Sequence, residues 1–341
     1  MEIDSSHIGK PPAWKLNYRI GRGSFGAVFL EKVAPSDQKP PELWAVKRIS
    51  RTLPNLPVKR YQAEIQNLRV LSNYEWFVKF YSSYEDADYV YIAMEYMPIG
   101  DISKTFVNDY RWNESDTQVV IEQLLHGLVV MHKAGITHYN LKPENVFLYL
   151  PAGTAQGLHV KIGGFSTSGH IALSDASTYP KATTGTLGYM APEMLDTSIP
   201  KTNKVDIWSL GCILFRMFAG HPPFRNLPEV YKYAMTASTP TLILENLGFS
   251  TSCMYFLADI LQPSPDDRPS AKACLEGTWI MNTAPRSIYS IGKDLYTSLC
   301  MVNVGAPNID TFLETVAASK ANGEPKPVPG VRRERFIGRD Y

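Results

Sequence analysis

Cysteine is scarce: Cys212, Cys253, Cys274 and Cys300 are the only four in 341 residues, and no two form a CxxC pair. That spacing supplies neither a zinc-ligand set nor a disulfide framework, so reduced intracellular thiols are expected. An excess of charge of one sign is lacking too, with 34 basic side chains against 33 acidic ones. Such a balance makes no electrostatic case for binding nucleic acid or an anionic membrane. Met1–Lys10 lacks the apolar run of an export signal. The most apolar stretch, Ile207–Gly220, is too short to span a bilayer, carries Arg216, and reads as a buried helix. Internal repeats and coiled-coil heptads are missing as well. A cytoplasmic or nuclear protein is the expectation.

What is present is globular, with hydrophobic residues at 44% and charged ones at 20%. The first hundred residues are strand-rich. Tyr18–Ile20, Ala27–Val33, Leu43–Ile49, Phe77–Tyr84 and Tyr89–Glu95 carry β-branched and aromatic residues between turn-formers. Tyr61, Ile65 and Leu68 predict a helix over Pro57–Ser72. From about Asp101 the pattern turns helical, with a stripe of Ile121, Leu124, Leu125, Leu128 and Met131 behind a cap at Asn113. A strand-rich lobe followed by a helical lobe is an α+β arrangement, with a pocket expected at the junction. Ala34–Pro41 and Tyr149–Leu158 read as surface loops. After Trp279 the core signals thin out. Ile309–Ala321 is a candidate short helix, and the basic end Val331–Tyr341 is expected to be solvated.

Gly21-Arg22-Gly23-Ser24-Phe25-Gly26 matches GxGxxG, but β-prone Ala27-Val28-Phe29-Leu30 follows it. The glycines therefore suit a hairpin better than the opening of a dinucleotide-binding helix, and the motif alone fits an ordinary glycine-rich turn as well as one lying over phosphates. Trp44-Ala45-Val46-Lys47 ends a strand on a lysine, and Glu64 sits on the next helix. By themselves the two residues fit either a cation held beside a phosphate loop or an ordinary surface ion pair. Further on stand His138-Tyr139-Asn140-Leu141-Lys142-Pro143-Glu144-Asn145, Lys161-Ile162-Gly163-Gly164-Phe165-Ser166 and Gly185-Thr186-Leu187-Gly188-Tyr189-Met190-Ala191-Pro192-Glu193, then Asp206-Ile207-Trp208-Ser209-Leu210-Gly211 and Arg268.

In this order the motifs resemble the eukaryotic protein kinases, of serine/threonine type, from about Trp14 to Trp279. The resemblance implies a two-lobed fold. Its parts would be an extension over 1–13, a domain over 14–281 (lobes about 14–97 and 98–281) and a partly helical or mobile tail over 282–341. It implies ATP as ligand, held by Gly21, Gly23, Gly26, Val28, Ala45, Lys47, Glu64, Glu95, Met97, Asp101 and Phe147. Met94 would be the gatekeeper, Asp101 would reach the ribose, and Val28, Ala45 and Phe147 would sandwich the adenine. Leu68, His138 and Phe165 would form an internal spine, and Arg268 would pair with Glu193. Asn140, Lys142 and Asn145 would occupy the catalytic loop, and a protein partner or protein substrate is implied.

Two positions depart from the catalysing members, which carry aspartates there: one is Asn140, the other Gly164. An amide cannot accept a proton as a carboxylate does, and general-base catalysis contributes about 10²–10⁴-fold. Glycine offers magnesium nothing, so Asn145 remains as a weak, neutral ligand and metal binding is doubtful. Tyr139 stands where an arginine commonly receives a phosphate, for which Ser174, Ser177, Thr178, Thr183 and Thr184 are candidate sites. Ser166 replaces the segment's last glycine. The expectation is a pseudokinase that binds ATP with little need of magnesium and acts as a scaffold or regulator in signalling. The alternatives are an unconventional active serine/threonine kinase and an interaction module without nucleotide.

Overall fold

In the computed structural model, residues 18–23, 25–33, 41–52, 58–106, 110–151, 157–170, 186–196, 198–236, 248–282 and 287–306 are described. The extension 1–13, Ser24, most of Ala34–Pro41, Pro57, the five candidate phosphorylation sites, Ile309–Ala321 and Val331–Tyr341 lie outside these residues.

The small lobe is an antiparallel sheet in the order β1-β2-β3-β5-β4. Its strands are β1 (Tyr18–Gly23), β2 (Gly26–Val33), β3 (Glu42–Ser50), β4 (Phe80–Glu85) and β5 (Tyr89–Glu95). β1 and β2 form the expected glycine hairpin, closing at Gly23 opposite Gly26. At Gly26 an added Cβ would stand 2.0 Å from the Arg48 carbonyl oxygen, so only glycine lets β2 lie this close to β3. Helix α1 (Val58–Leu71) buries Tyr61 and Leu68 at the predicted spacing. β4 begins at Phe80, three residues later than its apolar content suggests. Phe77 leaves the sheet to bridge Ile162 of the large lobe and lies wholly buried there.

The large lobe is built on α2 (Glu114–Lys133) and α3 (Lys204–Ala219). The Asn113 side chain caps α2 by accepting from the Asp116 N–H at 2.8 Å, as its sequence position predicts. α3 is buried nearly all round and stops at Gly220, whose φ of 79° suits a residue without a Cβ. Around them lie β6 (Ile136–Thr137), β7 (Val146–Tyr149), β8 (His159–Ile162), β9 (Gly169–His170), α4 (Leu227–Thr236), α5 (Thr251–Ile260), α6 (Ala271–Leu275) and α7 (Thr278–Met281). Within the stretch expected to be a partly helical or mobile tail stands helix α8 (Lys293–Gly305), and Ile291, Leu295 and Leu299 join the main core. Among the described residues no helix is long and apolar enough to cross a membrane.

Candidate active-site cleft

The cleft begins with a buried charge pair. Lys47 on β3 donates from Nζ to both carboxylate oxygens of Glu64 on α1, at 2.6 and 2.8 Å. Register places Val28 opposite Lys47 and Leu30 opposite Ala45 on β2, and Met94 opposite Ala45 on β5. Val28, Ala45 and Lys47 thus share one face of the sheet. Phe147 of β7 bridges Asp101 below it and packs beside Gly163, where an added Cβ would stand 2.9 Å from its ring.

The chain joining the lobes is more occupied than its sequence suggests. The Glu95 N–H donates to the Lys79 carbonyl, and its carboxylate receives Lys161 Nζ at 2.6 and 2.7 Å. The Met97 carbonyl accepts from the Gly100 N–H. Asp101 is turned to the 3-10 turn Ile102–Thr105, where Oδ1 accepts from the backbone N–H and hydroxyl of Ser103. Its carboxylate therefore caps that turn in this structure.

The loop after β6 is organised by Asp206, at the start of α3 and wholly buried. Its carboxylate accepts from the backbone N–H groups of His138 at 2.9 Å and Tyr139 at 3.0 Å, and contacts His132 Nε2 at 3.0 Å. This grip holds Tyr139 at a φ of 62°, the one non-glycine residue with positive φ among those described. His138 Nδ1 accepts from the Asn140 N–H, which leaves Nε2 to donate to the Gly163 carbonyl at 2.9 Å. Burial pulls the His138 pKa down, in keeping with a neutral ring. Its ring lies 5.3 Å from Phe165, which in turn lies 6.0 Å from Phe77. Leu68, His138 and Phe165 are all buried, as expected of a spine.

Asn140, nearly buried, accepts at Oδ1 from the Thr186 hydroxyl at 3.3 Å. Lys142 and Glu144 meet at 3.9 Å. Gly164 adopts φ 77° and ψ 43°, and a Cβ there would stand 2.2 Å from Asn145 Oδ1. The Asn145 amide therefore fills the space that a side chain at 164 would take. Its Nδ2 donates to the Asn140 carbonyl at 2.8 Å, tying it to the loop backbone. Asn67 Nδ2 donates to Ser168 Oγ at 2.9 Å, fastening α1 to the chain after Gly164. Farther down, Arg268 and Glu193 form a buried fork with both bonds at 2.6 Å, the expected pair.

Sequence reasoning missed Lys161, Asn67, Ser168 and the organising part of Asp206. For Lys161 the only signal is its place in a short strand between apolar Val160 and Ile162, since a lysine buried there needs a partner. The spacing of Asn67 carries none.

A family model described as Protein kinase domain matches residues 14–280. The chain is 29% identical over 276 residues to a probable myosin light chain kinase of Dictyostelium discoideum, covering 79% of this chain and 83% of that protein. It is 29% identical over 274 residues to calcium/calmodulin-dependent protein kinase type 1 of Caenorhabditis briggsae, covering 78% and 72%. The serine/threonine-protein kinase Nek5 of Homo sapiens is 27% identical over 296 residues, covering 84% of this chain but 39% of that longer protein.

Proposed function

The chain belongs to the protein kinase family, and within it we propose a protein that binds ATP yet transfers its phosphoryl group very slowly or not at all. It acts as a regulator or scaffold for a protein partner. Family membership implies ATP and protein substrates in general; the rest of the reading comes from the cleft. The observation that carries it is the Asn145 amide lying where a side chain at Gly164 would be.

Magnesium does not fit these donors. The ion normally takes one or two carboxylates besides phosphate oxygens and waters. Here position 164 has no side chain, and Asn145 offers a single neutral oxygen on an amide already tied to Asn140. Among the described residues no three acidic, histidine or cysteine side chains gather to hold a metal. ATP fits better. Lys47, fixed by Glu64, offers a cation to its phosphates, and Val28, Ala45 and Phe147 offer apolar faces to its base. At the phosphate end Asn140 can position a hydroxyl but cannot take its proton. Loss of the base and of metal stabilisation together is expected to put turnover roughly 10⁵-fold below the usual ~1–100 per second.

Thermal unfolding with ATP, first in excess magnesium and then in EDTA, tests the reading. A ligand at about 100 times its Kd adds about 2.7 kcal/mol, which raises the midpoint by several degrees. The expected shift survives EDTA. A shift only with magnesium overturns the metal-free reading, and no shift in either buffer overturns ATP binding.

A further inference from the structure

Tyr289 lies beyond the residues that the family model matches. Residues 288–292 lie as a strap against α2 and the start of β8. The Leu158 N–H donates to the Tyr289 carbonyl at 2.7 Å, and Gly157 and Ser290 form an antiparallel bridge. Gln123 of α2 donates from Nε2 to the carbonyls of Ile288 and Leu158, both at 2.9 Å. The Gly292 N–H donates to Asp116 Oδ1 at 2.7 Å, and Ile291 is buried. The strap is therefore fixed on either side of Tyr289.

From this anchorage the Tyr289 side chain reaches the turn that follows α1. Its hydroxyl donates to Glu75 Oε2 at 3.1 Å. Its ring stacks on His159 at 4.2 Å and 9°, and lies near-parallel to Trp76 at 6.2 Å and 13°. Trp76 in turn stacks on His126 of α2 at 5.2 Å. Burial and the Glu75 carboxylate push the Tyr289 phenol up to about 12, so it stays a donor at any ordinary pH.

That turn is continuous with the C-terminal end of α1. Hydrogen bonds from the N–H groups of Ser72 to Leu68, Tyr74 to Leu71 and Phe77 to Tyr74 carry the helix straight into it. The Ile162 N–H donates to the Trp76 carbonyl at 2.8 Å, docking the turn on β8. Glu64 stands about two helical turns, roughly 10 Å, from Leu71. A tilt at the turn is therefore magnified at the Glu64 carboxylate.

We propose that Tyr289 is a positioning residue for the phosphate end of the cleft: by fixing Glu75 and Trp76 from the strap, it holds α1 where Glu64 grips Lys47. This rests on the nucleotide-binding reading, and the test separates the two. Tyr289→Ala and Tyr289→Phe in the full chain are titrated with ATP and with adenosine by calorimetry. Lys47 serves phosphates, so Tyr289→Ala is expected to weaken ATP about tenfold and leave adenosine within about twofold. Tyr289→Phe, which keeps the stack and loses the Glu75 bond, falls between. Equal loss for both ligands, or no loss, overturns the proposal. Hydrogen exchange of the ligand-free protein decides the matter without nucleotide. Tyr289→Ala is expected to speed exchange about tenfold across residues 64–77 while α3 keeps its rates, and unchanged rates in α1 overturn the proposal. Wild-type protein that binds neither ligand overturns the nucleotide reading and leaves hydrogen exchange to judge Tyr289.

Discussion

Lys47 and Glu64 are only 6% and 3% exposed, and each is the other's main compensation for leaving water. Removing one partner of a buried pair costs about 3–5 kcal/mol, because the remaining charge has nowhere to go. Lys47→Met is therefore expected to lower the unfolding free energy by about that much with no nucleotide present, and to abolish any shift by ATP. Urea unfolding reads the first effect. Adding Glu64→Leu should recover most of the loss, and a double variant as unstable as the single one would sink the argument. These two residues were legible only through the resemblance to the protein kinases, which pairs a strand lysine with a helix glutamate. Asn145 was not legible in this way. Its sequence position suggests a metal ligand, whereas the absence of a Cβ at Gly164 lets the amide settle into the gap. Asp101 differs for a similar reason: a serine two residues on offers its carboxylate two donors nearby.

Elements were legible where one local pattern decides them and illegible where a distant partner does. The apolar stripe and Asn113 suffice to place α2, and the all-round apolar run to place α3. The start of β4 escapes such reading because Phe77 is as β-prone as Phe80, and only the large lobe's claim on Phe77 separates them. α8 did carry a local signal, since Ile291, Leu295 and Leu299 recur every four residues as one helix face requires, but it is short and set in a stretch of thinning apolar content. Between elements, Arg268 does the work of several caps at once. Besides its fork to Glu193, its guanidinium donates to the carbonyls of Gln262, Pro263 and Lys204, at 2.7, 2.9 and 3.0 Å. It also lies 5.0 Å from the centre of the Trp208 ring. Arg268→Met would strand the wholly buried Glu193 carboxylate and is expected to cost about 3–5 kcal/mol. Arg268→Lys keeps the charge but not the planar fork, so it should recover only a minor part. A midpoint within a degree of wild type for Arg268→Lys would show that charge, not geometry, holds this corner together.

Across the whole molecule one continuous core runs from Ile49 and Leu68 of the small lobe to Leu295 and Leu299 after the matched domain. His138 stands within it, wholly buried, where the spine meets the Gly163 backbone. Burial lowers its pKa, against the pull of Asp206, and burial also lowers that of His159 in the strap's stack. Both rings therefore bind protons less readily folded than unfolded. Above about pH 6.5 neither state is protonated and their contribution is complete; below it the unfolded chain takes up protons first, and stability falls as pH falls. The slope for His138 is at most about 1.4 kcal/mol per pH unit until its folded pKa is reached. His159, partly solvated, adds less. Asp86 and Asp196, held below the usual carboxylate range by hydrogen bonds, contribute fully throughout this window and do not blur it. Urea midpoints are thus expected to stay level from pH 8 to 7 and to drop between 6.5 and 5. Because a glutamine at 138 cannot titrate, His138→Gln should start less stable and flatten most of that drop. If the variant loses stability with falling pH as steeply as wild type, the acid sensitivity belongs to other groups than the buried imidazole.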